Sequence, residues 1–156
     1  MARIWDGEIV PLSVDQLAEK TNAAFLALPD PVTAEVVPAL VERGVRVFDL
    51  SGTFRLRNSE QRAKWYPAAS DTVASTAVYG LPEHCGNTLR DATLIACPGC
   101  YPTAALLALR PLITADLLAD DLVVDAKSGL SGAGKTPSER THFSECHGNV
   151  ASYGIF

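Results

Sequence analysis

Apolar and polar positions fall into distinct blocks along this chain. "AAFLALPD", Ala23 to Asp30, is a continuous apolar run ended by a proline turn, the pattern of a strand buried on both faces. Thr33 can then cap a helix in which Glu35, Val36, Ala39, Leu40 and Glu42 lead to Arg43–Gly44, a basic last turn with a glycine stop. Pro38 inside that segment predicts a kink or a later start. "VRVFDL", Val45 to Leu50, is a second buried-type strand, so the three segments form a βαβ unit with parallel strands. A polar loop with a short helix follows in "SGTFRLRNSEQRAKWYP", and Gly80 and Pro82 mark a turn in "TAVYGLPE". "ATLIAC", Ala92 to Cys97, reads as a third strand closed by Pro98–Gly99, and Tyr101 to Ile113 as a helix with Pro102 in its favoured first position. "DLVVDAKS", Asp121 to Ser128, predicts a fourth strand, followed by the glycine-rich loop "GLSGAGKTPSER" and a weakly periodic tail. The fold class is α/β.

Composition narrows the function classes. With 156 residues, 47% of them apolar, the chain suits a packed globular domain rather than a disordered one. A net charge of −5 gives no basic face for nucleic acid. The longest apolar piece, Ala104 to Leu109, is interrupted by Arg110 and Pro111, far short of the roughly 20 residues a membrane helix needs. "MARIWDGEIVPL" carries no signal-like apolar stretch, so Cys85, Cys97, Cys100 and Cys146 are expected to be reduced thiols of a cytoplasmic protein.

Three motifs carry candidate chemistry. Cys100 stands where a coil hands over to a helix, and free N–H groups with the helix dipole favour a thiolate at such a place. Position alone also admits an inert core thiol, the better reading for Cys97 at the strand end. Cys97-x2-Cys100 with His142-x3-Cys146 makes a possible zinc set, and the CxxC pair a possible redox couple, although Pro102 puts both cysteines ahead of the predicted helix. "GLSGAGKT", Gly129 to Thr136, matches the phosphate-loop pattern, yet "PSERTHFSE" follows instead of a helix with an apolar face. Its glycines still imply close backbone approach to a phosphate or an amide.

These motifs stand in the order of a known family. "IACPGCYPTAALLALRP", Ile95 to Pro111, resembles the active-site signature of the N-acetyl-γ-glutamyl-phosphate reductases, relatives of aspartate-semialdehyde dehydrogenase. Supporting blocks are "AFLALP" at Ala24–Pro29, "RVFDLSGTFRL" at Arg46–Leu56, "KWY" at Lys64–Tyr66 and "YGLPE" at Tyr79–Glu83. "VVDAKSGLSGAGK" at Val123–Lys135, "THFSE" at Thr141–Glu145 and "YGI" at Tyr153–Ile155 complete the set.

The resemblance implies NADPH-dependent reduction of an acyl phosphate in arginine biosynthesis, with Cys100 as nucleophile through a thioester. It implies cofactor contacts at Pro29, Ser128, Gly129, Ser131 and Gly132, and substrate contacts at Arg55 and Glu145, with no metal. Residues 1–99 would be the later part of an NADP-binding Rossmann-type domain, a partial parallel sheet. Residues 100–156 would begin an α+β catalytic and dimerisation domain of a homo-oligomer. Cys97 stands where the family commonly has Asn, which makes the CxxC incidental; Lys135 replaces a usual Arg, Thr53 a usual Asp, and "ECHGNV" departs from the family's wording around Cys146 and His147.

No G-x-x-G-x-x-G equivalent precedes Ala23, and neither His142 nor His147 occupies the place of the family's acid–base histidine in its His-Arg-His segment. The expectation is therefore a fragment from the middle of the enzyme, binding NADPH poorly and turning over negligibly by itself. A sister reductase of carrier-linked acyl phosphates and a non-catalytic remnant remain the alternatives.

Overall fold

The computed structural model describes residues 7–119, 121–134 and 136–153. The chain divides into two compact units, Met1–Leu117 and Leu118–Phe156.

In the first unit Ser13 caps α1 (Val14–Lys20), its side chain accepting from the Gln16 N–H. Then come β1 (Ala23–Leu26), α2 (Asp30–Glu42), β2 (Arg46–Asp49), α3 (Ser59–Trp65), α4 (Asp71–Thr76) and β3 (Val78–Tyr79). The short α5 (Pro82–Cys85), β4 (Leu94–Ala96) and α6 (Cys100–Thr114) complete the unit. The four strands form one parallel sheet in the order β1-β2-β4-β3, with Leu26 beside Asp49, Asp49 beside Ala96 and Ala96 beside Tyr79. Those last residues define the carboxyl edge of the sheet, outside which α/β proteins bind their ligands.

The predicted βαβ unit is present, with sharper limits. β1 stops at Leu26, and α2 begins at Asp30 rather than Thr33, with Pro29 at its cap. Pro38 neither delays nor ends α2, because Thr33, Val36, Val37 and Leu40 are buried along one stripe that holds the helix on the sheet. Leu40 packs with Leu26, Val47 and Leu94, the centre of the core. The opposite face is more open: Phe25 stacks on Phe48 at 4.5 Å between ring centroids yet stays exposed. The segment read as a turn holds the two-residue β3 just before Gly80; so short a strand has no pattern of its own and exists by pairing with β4.

The predicted strand at 121–128 is absent: these residues are irregular, and Val123 is 92% exposed. An apolar run becomes a strand only beside a pairing partner, and no described strand pairs with it. The second unit instead contains a 3₁₀ turn at Leu130–Ala133, another at Glu139–Thr141, and the single-turn helix α7 (Phe143–Cys146).

Candidate active site

The carboxyl edge of the sheet gathers a small polar cluster in the first unit. Asp49, the last residue of β2, is fully buried, and one carboxylate oxygen accepts from the Ser51 N–H at 2.8 Å. Its other oxygen has no hydrogen-bond partner among the described residues. Burial pushes the Asp49 carboxyl above its usual range; the Ser51 hydrogen bonds and the Arg55 charge pull it down, and Asp30 adds a small upward push.

Beyond Asp49 the chain makes a compact loop, Ser51 to Arg55, fastened from several sides. Asp30 accepts from the Gly52 N–H at 2.9 Å and from the Thr53 hydroxyl at 3.1 Å. Thr53 in turn accepts from the Ser51 hydroxyl at 2.9 Å, and Phe54 is sunk in the core. Gly52 is required here, because a β-carbon would fall inside the Tyr66 ring. This loop aims Arg55 at the end of β4. Its Nε donates to the Cys97 carbonyl at 2.7 Å and its Nη2 to the Leu50 carbonyl at 2.8 Å.

Cys97 and Cys100 then part company. Cys97 is half-buried, and burial first and Asp49 second raise its thiol pKa, with Arg55 opposing. Gly99 is extended (φ −74°, ψ 167°) and stands at the cap position of α6. Cys100 is exposed and is itself the first residue of α6, one position earlier than predicted; Pro102 lies within the first turn, where its missing N–H costs nothing. The Gly99 carbonyl accepts from the Thr103 N–H at 3.0 Å and the Thr103 hydroxyl at 2.8 Å, which closes that turn. Tyr79, at the end of β3, has its phenol pushed up by burial and partly restored by Arg55, with Cys85 and Tyr66 raising it slightly.

Of the predicted site residues, Pro29, Arg55 and Cys100 thus lie at or beside the carboxyl edge of one sheet. Ser128, Gly129, Ser131, Gly132 and Glu145 belong to the second unit. There the glycine loop is exposed, and Gly134 has φ 86°, the left-handed region that favours glycine. Glu145 is exposed on α7. Lys135, the residue that completed the phosphate-loop string, lies outside the described residues, as do residues 1–6 and Gly154–Phe156. The string leads to a 3₁₀ turn rather than a helix. Among the described residues no group of three His, Cys, Asp or Glu side chains is arranged to hold a metal ion. Asp49 and Tyr79 are not singled out by sequence: Asp49 lies inside a run read only as a strand, and Tyr79 in a segment read as a turn.

A parallel sheet with an exposed cysteine at the head of a helix beyond its carboxyl edge defines an α/β protein with a thiol on the side where such sheets hold ligands. Comparison with known families makes this specific. Residues 4–92 match the family model described as "Semialdehyde dehydrogenase, NAD binding domain", and residues 100–156 match "Semialdehyde dehydrogenase, dimerisation domain". The chain belongs to the semialdehyde dehydrogenase family.

Among similar curated proteins is the N-acetyl-gamma-glutamyl-phosphate reductase of Geobacillus stearothermophilus, 47% identical over 96% of this chain and 44% of that protein. Proteins of the same name from Synechococcus elongatus and Bacillus cereus are each 44% identical, over 94% and 92% of this chain. The chain spans less than half the length of these relatives, 43% of the last two. No helix among the described residues is long and apolar enough to cross a membrane.

Proposed function

We propose that this chain carries the thiol and part of the cofactor site of an NADPH-dependent reductase that converts N-acetyl-γ-glutamyl phosphate to its semialdehyde in arginine biosynthesis. The observation that carries this reading is the exposed Cys100 at the first position of α6, at the ligand side of a parallel sheet, in a chain 47% identical to a protein of that name. Cys100 Sγ, as thiolate, attacks the acyl carbon; the carbon–oxygen bond to phosphate breaks and inorganic phosphate leaves with the electron pair, giving a thioester. The positive end of the α6 dipole stabilises the oxyanion that develops on the way. The nicotinamide cofactor, when bound, would supply the hydride that releases the aldehyde, with the carbon–sulfur electron pair returning to the Cys100 thiolate.

The remaining roles follow the same reading. Pro29, Ser128, Gly129, Ser131 and Gly132 border the cofactor, and Arg55 and Glu145 contact the substrate. The residues from Cys100 onward form part of the catalytic and dimerisation domain of a cytoplasmic homo-oligomer, consistent with the match to a dimerisation domain.

The test is acyl transfer to the protein. Incubated with N-acetyl-γ-glutamyl phosphate, the chain is expected to gain a hydroxylamine-sensitive acyl group that maps to Cys100 and is lost in Cys100→Ser. An adduct on Cys97, or one that survives Cys100→Ser, overturns the assignment.

A further inference from the structure

We propose that Arg55 is a positioning residue for Cys100: its guanidinium fork staples the ends of β2 and β4 together and fixes the point from which α6 starts. The inference rests on the reading of Cys100 as nucleophile and goes beyond the substrate contact assigned to Arg55 above.

The geometry is specific. β2 and β4 are neighbours, and their ladder ends with the Cys97 N–H donating to the Asp49 carbonyl at 2.8 Å. One residue past each strand, a single side chain takes over: Arg55 reaches the Leu50 carbonyl with Nη2 and the Cys97 carbonyl with Nε. Two donors held in one rigid plane fix both distance and angle between those carbonyls, which one ammonium cannot do. Its third nitrogen, Nη1, lies 3.3 Å from where a β-carbon on Gly99 would stand, so the guanidinium packs against the backbone just before Cys100.

Only Pro98 and Gly99 separate the clamped carbonyl from the nucleophile. Proline fixes its own φ, and the Gly99 carbonyl is held by both Thr103 donors. Little freedom is left between the Arg55 staple and the Cys100 thiol. The staple is itself anchored: the Arg55 N–H donates to the Gly52 carbonyl at 3.1 Å, and the loop is tied to Asp30 and buried through Phe54.

The experiment measures labelling of Cys100 by iodoacetamide, a neutral reagent without phosphate, in the 156-residue chain and in Arg55→Ala and Arg55→Lys. Peptide masses follow each thiol, with Cys146 as internal reference. Both variants are expected to lose roughly fivefold in Cys100 rate at neutral pH, the lysine rescuing nothing. Hydrogen exchange at the Thr103 amide, which closes the first turn, is expected to speed up in parallel. Full rescue by lysine would reduce the role to a point charge and overturn the proposal, as would parent-like labelling in both variants. Should Arg55→Ala fail to fold, Arg55→Lys decides alone, since it keeps the charge and the apolar stem. The outcome for the parent separates the two readings: Cys100 labelling no faster than Cys97 there defeats the nucleophile assignment, whereas a dominant Cys100 with unaffected Arg55 variants defeats only this one.

Discussion

α2 and α6 are helices of similar length and apolar content, yet they are used very differently. α2 buries Thr33, Val36, Val37 and Leu40 against the sheet, whereas α6 has no buried residue. The difference extends to the chain around them: among the described residues, everything buried lies between Ala24 and Ala96. Apolar pattern makes a segment helical, but stability comes from what covers it. The region before Cys97 is a scaffold with its own core. From Cys97 onward the chain holds the proposed nucleophile and draws little stability from its own packing.

The largest expected effect tests that contrast directly. Leu40→Ala, in a fully buried position of α2, should cost about 2–5 kcal/mol in urea unfolding. Leu107→Ala, at a 38% exposed position of α6, should stay below about 1 kcal/mol. Comparable losses would mean that α6 is packed after all. A smaller effect, about 1–3 kcal/mol, is expected from Gly52→Ala, whose new methyl meets the Tyr66 ring. Adding Tyr66→Ala should then recover part of the loss, measured by thermal unfolding, because the clash would be gone.

A finer effect concerns Asp49. Its folded carboxyl binds a proton more tightly than the unfolded one, because burial disfavours the charge. The folded state therefore loses stability as pH rises from the usual carboxylate range through the raised value, and bears the whole cost above it. Asp49→Asn should relieve this by about 1 kcal/mol at neutral pH. The advantage should shrink as pH falls through that window, in urea midpoints collected at several pH values. A gain that grows on acidification would reverse the sign and refute the account of Asp49.

The same contrast governs what the sequence made legible. β1, α2 and β2 could be read because strands buried on both faces are continuous apolar runs, and the intervening helix ends on glycine. α1 escaped notice because its signals, Ser13, Asp15 and Lys20, frame only seven residues with no buried side chain. The run at 121–128 misled because a strand needs a neighbour, and neighbours are not written in local pattern.

At the candidate site, the position of Cys100 at a helix start was legible from a proline–glycine turn, even though the helix begins at the cysteine itself. The grip of Arg55 on the Cys97 carbonyl was not. It joins a side chain to a backbone atom 42 residues away, and a backbone acceptor leaves no residue-type signature. Asp49 looked like the end of a strand; its orphaned buried oxygen emerges only once the sheet is assembled.

The most direct measurement compares the two thiols of the CxxC in the unmodified chain. With a neutral alkylating reagent and peptide mapping between about pH 6 and 9, Cys100 is expected to label at least tenfold faster than Cys97 at neutral pH. Cys97, shielded by burial and by the Asp49 carboxyl, should catch up only toward the alkaline end. Equal rates, or Cys97 labelling first, would contradict the division between a working thiol and a bystander.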